Sequence, residues 1–393
     1  MRLRKTGLTG GPLVRSGVFI SKGGRMQPVI RSFHSALLFF ALCTIAALHL
    51  EAQAAPQAPA GVPAPNRITL DVFVADTLGH PVRGLTEQQF TVLDNGQARP
   101  LVGFRAVDPT TDPDAVRVLV VIDMTNQTVA AVAEQRQRFN EFLNEDGGRL
   151  AHPTSIAVMT ETGVKMMQGY SQDGHLLLAS FDKVNNELRA VGRSAGFYGA
   201  AERLTVSLSG LNQIADFEAT QPGRKLVMII GPGWPLLPRA GIEESDRQRA
   251  WSFDAIVALT NKLRESHVAL YSIDPFILGA TDPFYYKGYL KPVKKPVQAE
   301  YPYRAQQVFA EHSGGRALTN GNDVVGSLNA ALRDAGAYYE LTFEAPAPDQ
   351  KNEFHELRVQ TTAPNASVRT NAFYYANPTS LAGKNSSPDH AAR

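Results

Sequence analysis

The chain is poor in several things from which function is usually read. It has a single cysteine, Cys43, in 393 residues, and that residue lies in an apolar stretch near the start. No disulfide framework and no thiol chemistry is therefore available to the rest of the chain. The nine histidines are scattered, without the spacing of a metal cluster, and each reads as surface or packing. There is no glycine-rich phosphate loop and no internal repeat, which argues against P-loop nucleotide chemistry and solenoid architecture. The apolar stretch from Ala36 to Leu48 has 13 residues, short of the roughly 20 that a membrane-crossing helix needs.

What precedes and follows that stretch gives it a meaning. Arg2, Arg4, Lys5, Arg15, Lys22, Arg25 and Arg31 come before it, and Ala52-Gln-Ala54 after it offers a small-x-small cleavage site. Residues 1–54 read as a signal peptide, which implies a secreted or periplasmic protein beginning near Ala55. An uncleaved N-terminal anchor is the rival reading. Leu42 is too large for the usual lipobox before Cys43, and Met26 is a more ordinary start than Met1. Seven of the 39 basic and one of the 37 acidic side chains fall before Ala55, leaving 32 against 36 and a net charge of −4 where the whole chain has +2. Bulk charge thus offers no nucleic-acid or anionic-membrane partner, and no membrane span is expected after cleavage.

Residues 55–66, rich in Ala and Pro, read as a semi-extended linker, and residues 377–393 as a disordered tail. Between them the ends are β-rich. In residues 67–110, Ile68, Leu70, Val72 and Val74 alternate with outward positions. Phe90–Asp94 leads into Asn95-Gly96, a hairpin signal because both residues accept positive φ. In residues 338–376, strands are expected over Tyr338–Phe343, His355–Gln360 and Val368–Tyr375. The expectation is one β-sandwich-like module built from both chain ends, with two separate β extensions as the alternative.

Residues 115–337 alternate strands and helices. Val116–Ile122 is too short and too rich in Val and Ile for a helix, and its unbroken hydrophobicity marks a strand covered on both faces. Val129, Val132, Arg136, Phe139 and Leu143 recur at helical spacing, and Asp146-Gly-Gly148 is a stop signal. Further buried strands are expected at Lys225–Ile230 and Val268–Ile273, each followed by helical patterns. The alternation predicts an α/β fold with a doubly wound, mostly parallel sheet. Asp123 then stands just beyond the carboxyl end of a strand, where open α/β sheets take their ligands.

Here, in Val116–Ile122 running into Asp123-Met-Thr125-Asn-Gln127, the chain resembles the von Willebrand factor type A (VWFA) family, and more closely the VWFA-related proteins of acidobacteria. The resemblance covers about residues 67–376. It implies a Rossmann-like VWFA domain with a metal-dependent adhesion site of the Asp-x-Ser-x-Ser kind, completed by a Thr and an Asp from two further loops. Mg²⁺ wants near-octahedral oxygen ligation and keeps waters that a partner's carboxylate can replace. Asp123 keeps the first ligand, and Thr125 replaces the first Ser with the same hydroxyl. Gln127 replaces the second Ser, and Ser194 stands in for the Thr. Ile230-Gly-Pro-Gly233 occupies the place of the third-loop Asp, and Pro232 has no ligating side chain. The resemblance therefore implies a degenerate site, with no cofactor expected and Mg or Mn at a weakened site as the alternative.

A second pattern points to another class. Gly192-Arg-Ser194-Ala-Gly196 matches the nucleophile elbow G-x-S-x-G, and Asp274 and His312 follow in the α/β-hydrolase order. An elbow needs a buried strand before the serine, and Asn185–Val191 is charged and weakly patterned, so a serine hydrolase is the lesser expectation. The insertion between Asp274 and Tyr303 interleaves Pro, Phe and Tyr with lysines. Phe284, Tyr285, Tyr286, Lys287 and Lys291, with Trp234 after Gly231-Pro-Gly233, are the candidate recognition residues for a protein partner or an acidic glycan. A loop packed on its own tyrosines is the alternative. The reading that results is an exported, non-enzymatic, adhesion-type binding protein.

Overall fold

The computed structural model describes residues 66–378 apart from 168, 188–195, 235–243, 276–283 and 320–322. The expected signal peptide, nearly all of the expected linker, most of the expected tail and Ser194 lie outside the described residues. The first half contains β1 (Arg67–Ala75), β2 (Phe90–Asp94), β3 (Gln97–Arg99), β4 (Leu101–Val107), β5 (Val116–Asp123), α1 (Val129–Leu143), β6 (Arg149–Thr160), β7 (Gly163–Met166), β8 (Ser171–Asp173), α2 (Gly174–Glu187) and α3 (Gly196–Glu218). There follow β9 (Arg224–Ile230), α4 (Asp246–Glu265), β10 (Val268–Ile273), α5 (Gln306–His312), β11 (Arg316–Leu318), α6 (Val324–Leu332), β12 (Tyr338–Glu344), β13 (Glu353–Thr361), β14 (Ser367–Arg369) and β15 (Phe373–Ala376).

A seven-stranded sheet in the order β11-β10-β9-β5-β6-β7, with β8 also paired to β6, forms the centre. The run from β11 to β6 is parallel, and only β7 and β8 are antiparallel. Every residue of β5 except Arg117 is buried, because both faces of the sheet are covered. Val118, Val120 and Ile122 pack with α1, α2 and α6, while Leu119 and Val121 pack with α3, α4 and α5. The period of two along a strand thus divides one apolar run between two cores. Fold class is α/β, with a parallel-rich central sheet and added antiparallel sheets.

Helix α1 begins at Thr128, whose side chain accepts the Ala131 N–H at 3.2 Å, an N-cap. Its buried stripe is Val132, Gln135, Phe139, Phe142 and Leu143. Arg136, which falls on the same spacing, instead turns to an ion pair with Asp182 on α2. The helix is followed by Asp146, Gly147 and Gly148, all at positive φ.

The two chain ends interleave in two antiparallel sheets, β14-β1-β12-β4 and β15-β13-β2-β3. β1 pairs with both β12 and β14, and β2 pairs with β13, so neither sheet can close with the strands of one end alone. Asn95 and Gly96 take φ of 51° and 78°, the backbone that a tight β2–β3 hairpin needs. Leu70, Val72, Phe90 and Val92 from one end and Leu341, Phe343, Leu357 and Val359 from the other share a single apolar core. Strand β15 is an edge, but α4 covers it. Asn261 Nδ2 donates to Tyr375 O at 2.7 Å, and its Oδ1 accepts Tyr375 N–H at 3.0 Å.

Asp334, 2 % exposed, sits just after α6 and ties these sheets to the central one. Its carboxylate accepts Tyr271 Oη–H of β10 at 2.8 Å, and pairs with Arg316 of β11 and Arg369 of β14. Its carbonyl accepts from Arg224 of β9 at 2.6 Å. A second tie joins His267, before β10, to Asp71 of β1 at 3.0 Å, and that carboxylate raises the imidazole above its ordinary value. Removing one partner of a buried ion pair strands the others. Asp334→Ala is expected to lower stability by about 3 kcal/mol, at the low end for such pairs because both arginines are partly exposed. Urea denaturation measures it, and a loss below about 1 kcal/mol would show that the tie is not structural.

Candidate functional site

In the central sheet the chain steps from β5 to β6 on one side and later returns to place β9 on the other. The strand order therefore reverses between the carboxyl ends of β5 and β9, and this is where α/β sheets open a crevice. Asp123 closes β5 at that point and is fully buried. Its Oδ1 accepts the N–H groups of Thr125 at 2.9 Å and Asn126 at 3.1 Å, and its Oδ2 accepts Asn126 Nδ2–H at 2.8 Å. Asn126 Nδ2 also donates to Ser207 Oγ at 2.9 Å, linking the loop to α3. The turn after β5 is thus built around the carboxylate by the chain's own donors, as short Asx side chains do.

Gln127 is buried beside it and points the other way. Its amide nitrogen donates to the carbonyls of Asp123 and Ile230, the latter at 3.1 Å, joining the ends of β5 and β9. Two carbonyls as neighbours fix the nitrogen, not the oxygen, on that side. The amide oxygen accepts instead from Gln135 Nε2 on α1. Thr125 is equally buried, and its Oγ1 has no hydrogen-bond partner among the described residues. From β9 comes Gly231, where a Cβ would lie 3.0 Å from Asp123 Cβ and 3.1 Å from Gln127 Nε2. Gly233 has φ of 72°, and a Cβ there would meet Gln307 at 2.9 Å.

Among the described residues, these donors fall short of a Mg or Mn shell. They comprise one carboxylate already accepting three N–H groups, one hydroxyl, an amide whose oxygen is committed elsewhere, and a third loop without a ligating side chain. A dication needs about six hard oxygens. Among the described residues no three His, Cys, Asp or Glu side chains gather in a way that could hold a metal. Ser194 lies outside the described residues. Of the other hydrolase positions, His312 Nε2 donates to Leu290 O at 2.9 Å with burial holding its pKa below the ordinary value, and the Asp274 backbone N–H donates to Leu318 O.

The recognition candidates separate into two groups. Trp234 is 3 % exposed and donates Nε1–H to Arg304 O at 2.7 Å, so its ring belongs to the core over α4 and α5. Tyr286 is buried with Ala305 and Val308, and Tyr285 Oη reaches Gln307 Oε1 at 3.3 Å. Arg304, buried between the rings of Trp251 and Tyr301, is pulled down to about 10 by desolvation. Phe284 is 46 % exposed with Lys287 Nζ 4.4 Å over its ring, and Lys291 is exposed. Among the described aromatics of the insertion, Tyr285, Tyr286, Tyr289 and Tyr301 thus anchor it, and Phe284 is the exposed one.

Asn126, Gln135 and Ser207 complete the crevice and were not among the residues the sequence singled out. Gln135 left a signal, since it is a polar residue on the apolar stripe of α1. Ser207 left none, because its partner Asn126 is distant in sequence.

No protein-family model and no curated protein matches the chain. Among solved structures, one that aligns is the human COPII-coat protein Sec24c, at 8% identity and a TM-score of 0.31, covering 69% of this chain and 45% of that one. At that score the likeness identifies neither fold nor role.

The tight β9–β5 contact is testable. Gly231→Ala must push Asp123 or Gln127 aside, an overpacking expected to cost about 1–3 kcal/mol. Gln135→Leu orphans the buried Gln127 oxygen at a similar cost of about 1–3 kcal/mol. Shifts in the urea midpoint measure both, and an unchanged Gly231→Ala midpoint would mean that the crevice is open.

Proposed function

We propose that this chain is an exported, non-enzymatic binding protein of adhesion type, whose VWFA-like domain carries a degenerate metal site and makes protein–protein contacts. The observation that carries this reading is the state of Asp123. At the position where such a domain would present a metal, the carboxylate is buried and accepts the N–H groups of Thr125 and Asn126 and the Asn126 side-chain amide. The parallel sheet with its strand-order reversal at Asp123 supports the VWFA-like assignment. The leader over residues 1–54 supports a secreted or periplasmic location. Among the described residues no helix is long and apolar enough to cross a membrane. For a partner surface the outward group Phe284, Lys287 and Lys291 is the strongest candidate, with a protein favoured over an acidic glycan because the exposed ring supplies apolar area as well as charge.

One observation favours a second reading, a Mg- or Mn-dependent adhesion module with Asp123 as key ligand. Among the described residues the Thr125 hydroxyl is buried and without a hydrogen-bond partner, two residues from that carboxylate, as a hydroxyl ligand would be. Calorimetric titration of Mg²⁺ and Mn²⁺ into the purified chain separates the readings. No saturable heat is expected, with the native chain and Asp123→Ala giving the same trace. Saturable binding that disappears in Asp123→Ala would replace the first reading with the second.

A further inference from the structure

A cavity of about 510 Å³ lies between the 290–303 part of the insertion and the β13–β15 edge of the flanking module. That is the size of a small-molecule site, and nothing in the Asp123 crevice contributes to it. Its apolar lining comes from Leu290, Tyr303, Leu357 and Phe373. Lys291 and Lys294 line it too, and both are exposed. Among the described residues neither lysine has a carboxylate within ion-pair distance, and Lys294 Nζ sits 4.8 Å over the Phe354 ring. The one carboxylate lining the cavity, Glu356, is 3.6 Å from Arg358. The walls therefore offer an apolar body and uncompensated positive charge.

The segment carrying the lysines is braced before any ligand arrives. Leu290 O accepts from His312 Nε2 at 2.9 Å, and Val293 O from Tyr375 Oη at 2.7 Å. Gln298 Oε1 accepts the Lys294 and Lys295 N–H groups at 2.8 and 3.2 Å. Tyr289 and Tyr303 meet edge to face at 5.3 Å. Such preorganisation lowers the ordering cost of binding. The bracing also consumes polar groups: the His312 Nε2–H and the Gln298 amide oxygen are already spent. A ligand rich in hydroxyls, such as a glycan, would leave many of them unpaired inside.

We propose that this cavity binds an amphipathic organic anion, with its apolar body against Leu357 and Phe373 and its carboxylate or sulfonate at Lys291 and Lys294. The proposal is independent of the reading at Asp123.

The probe is 1-anilinonaphthalene-8-sulfonate, titrated into the full chain at low salt with fluorescence as readout. Saturable one-site enhancement is expected. The double variant Lys291→Glu/Lys294→Glu should weaken it by at least about tenfold, while Lys291→Arg/Lys294→Arg retains it. Decanoate should compete and decylamine should not, which separates charge recognition from plain apolar binding. Ala372→Trp, which adds bulk at a position lining the cavity and leaves both lysines in the sequence, should abolish binding; should that variant not fold, the exposed lysine variants decide alone. Absence of saturable enhancement, equal affinity in the charge-reversed variant with an unchanged melting curve, or equal competition by decylamine would each overturn the proposal.

Discussion

The arrangement of the molecule depends on one buried carboxylate. Asp334 holds Tyr271, Arg316 and Arg369 around its side chain and Arg224 at its carbonyl, so strands β9, β10, β11 and β14 converge on a single residue. A buried anion is tolerated only where cations and hydrogen-bond donors surround it, and meeting that condition draws together elements far apart in the chain. β14 brings the end-built module with it, because β1 lies between β14 and β12. A fold whose first strand pairs with strands near its end must bring together residues 277 positions apart, as Arg67 and Glu344 do, and a fixed anchor at the junction sets where they meet.

A second buried carboxylate, Asp123, is satisfied in a different way and with a different consequence. Among the described residues it accepts backbone and amide N–H groups, and these close a turn at the crevice of the sheet. Gln127 is central to this closure. A serine there would be too short to reach Ile230 O, whereas the glutamine bridges the ends of β5 and β9 and passes its oxygen to Gln135. Gly231 is the complement on β9, since no larger residue fits beside Asp123 without displacement. The residues that bring no oxygen ligand to this place, Gly231 among them, are also the ones that pack it.

Much of the architecture was legible in the residues. The unbroken β5 run, the period-two pattern of β1 and the Asn95-Gly96 turn each carry a local signal that the tertiary structure does not override. The site was legible only in part. The carboxylate at Asp123 and the absence of a ligating side chain at Pro232 follow from residue type, but the direction of the Gln127 amide depends on Ile230 and Gln135, which no local pattern connects to it. Trp234 reads from sequence as a presented aromatic, yet the carbonyl of Arg304 draws its indole N–H inward. The cavity at Lys291 and Lys294 needs β13 and β15 as its opposite wall, and periodicity says nothing about which strand an insertion will face.

The central claim is that the carboxylate at the strand-order reversal serves the chain's own turn and not a metal. Crystals grown in millimolar Mn²⁺, with diffraction collected at the manganese absorption edge, test it most directly. The account predicts no anomalous peak near Asp123 and the carboxylate still accepting from Thr125 and Asn126. A peak at about 2.1 Å from Asp123 Oδ and Thr125 Oγ1, the distance of an inner-sphere ligand to an Mg-like ion, would contradict it.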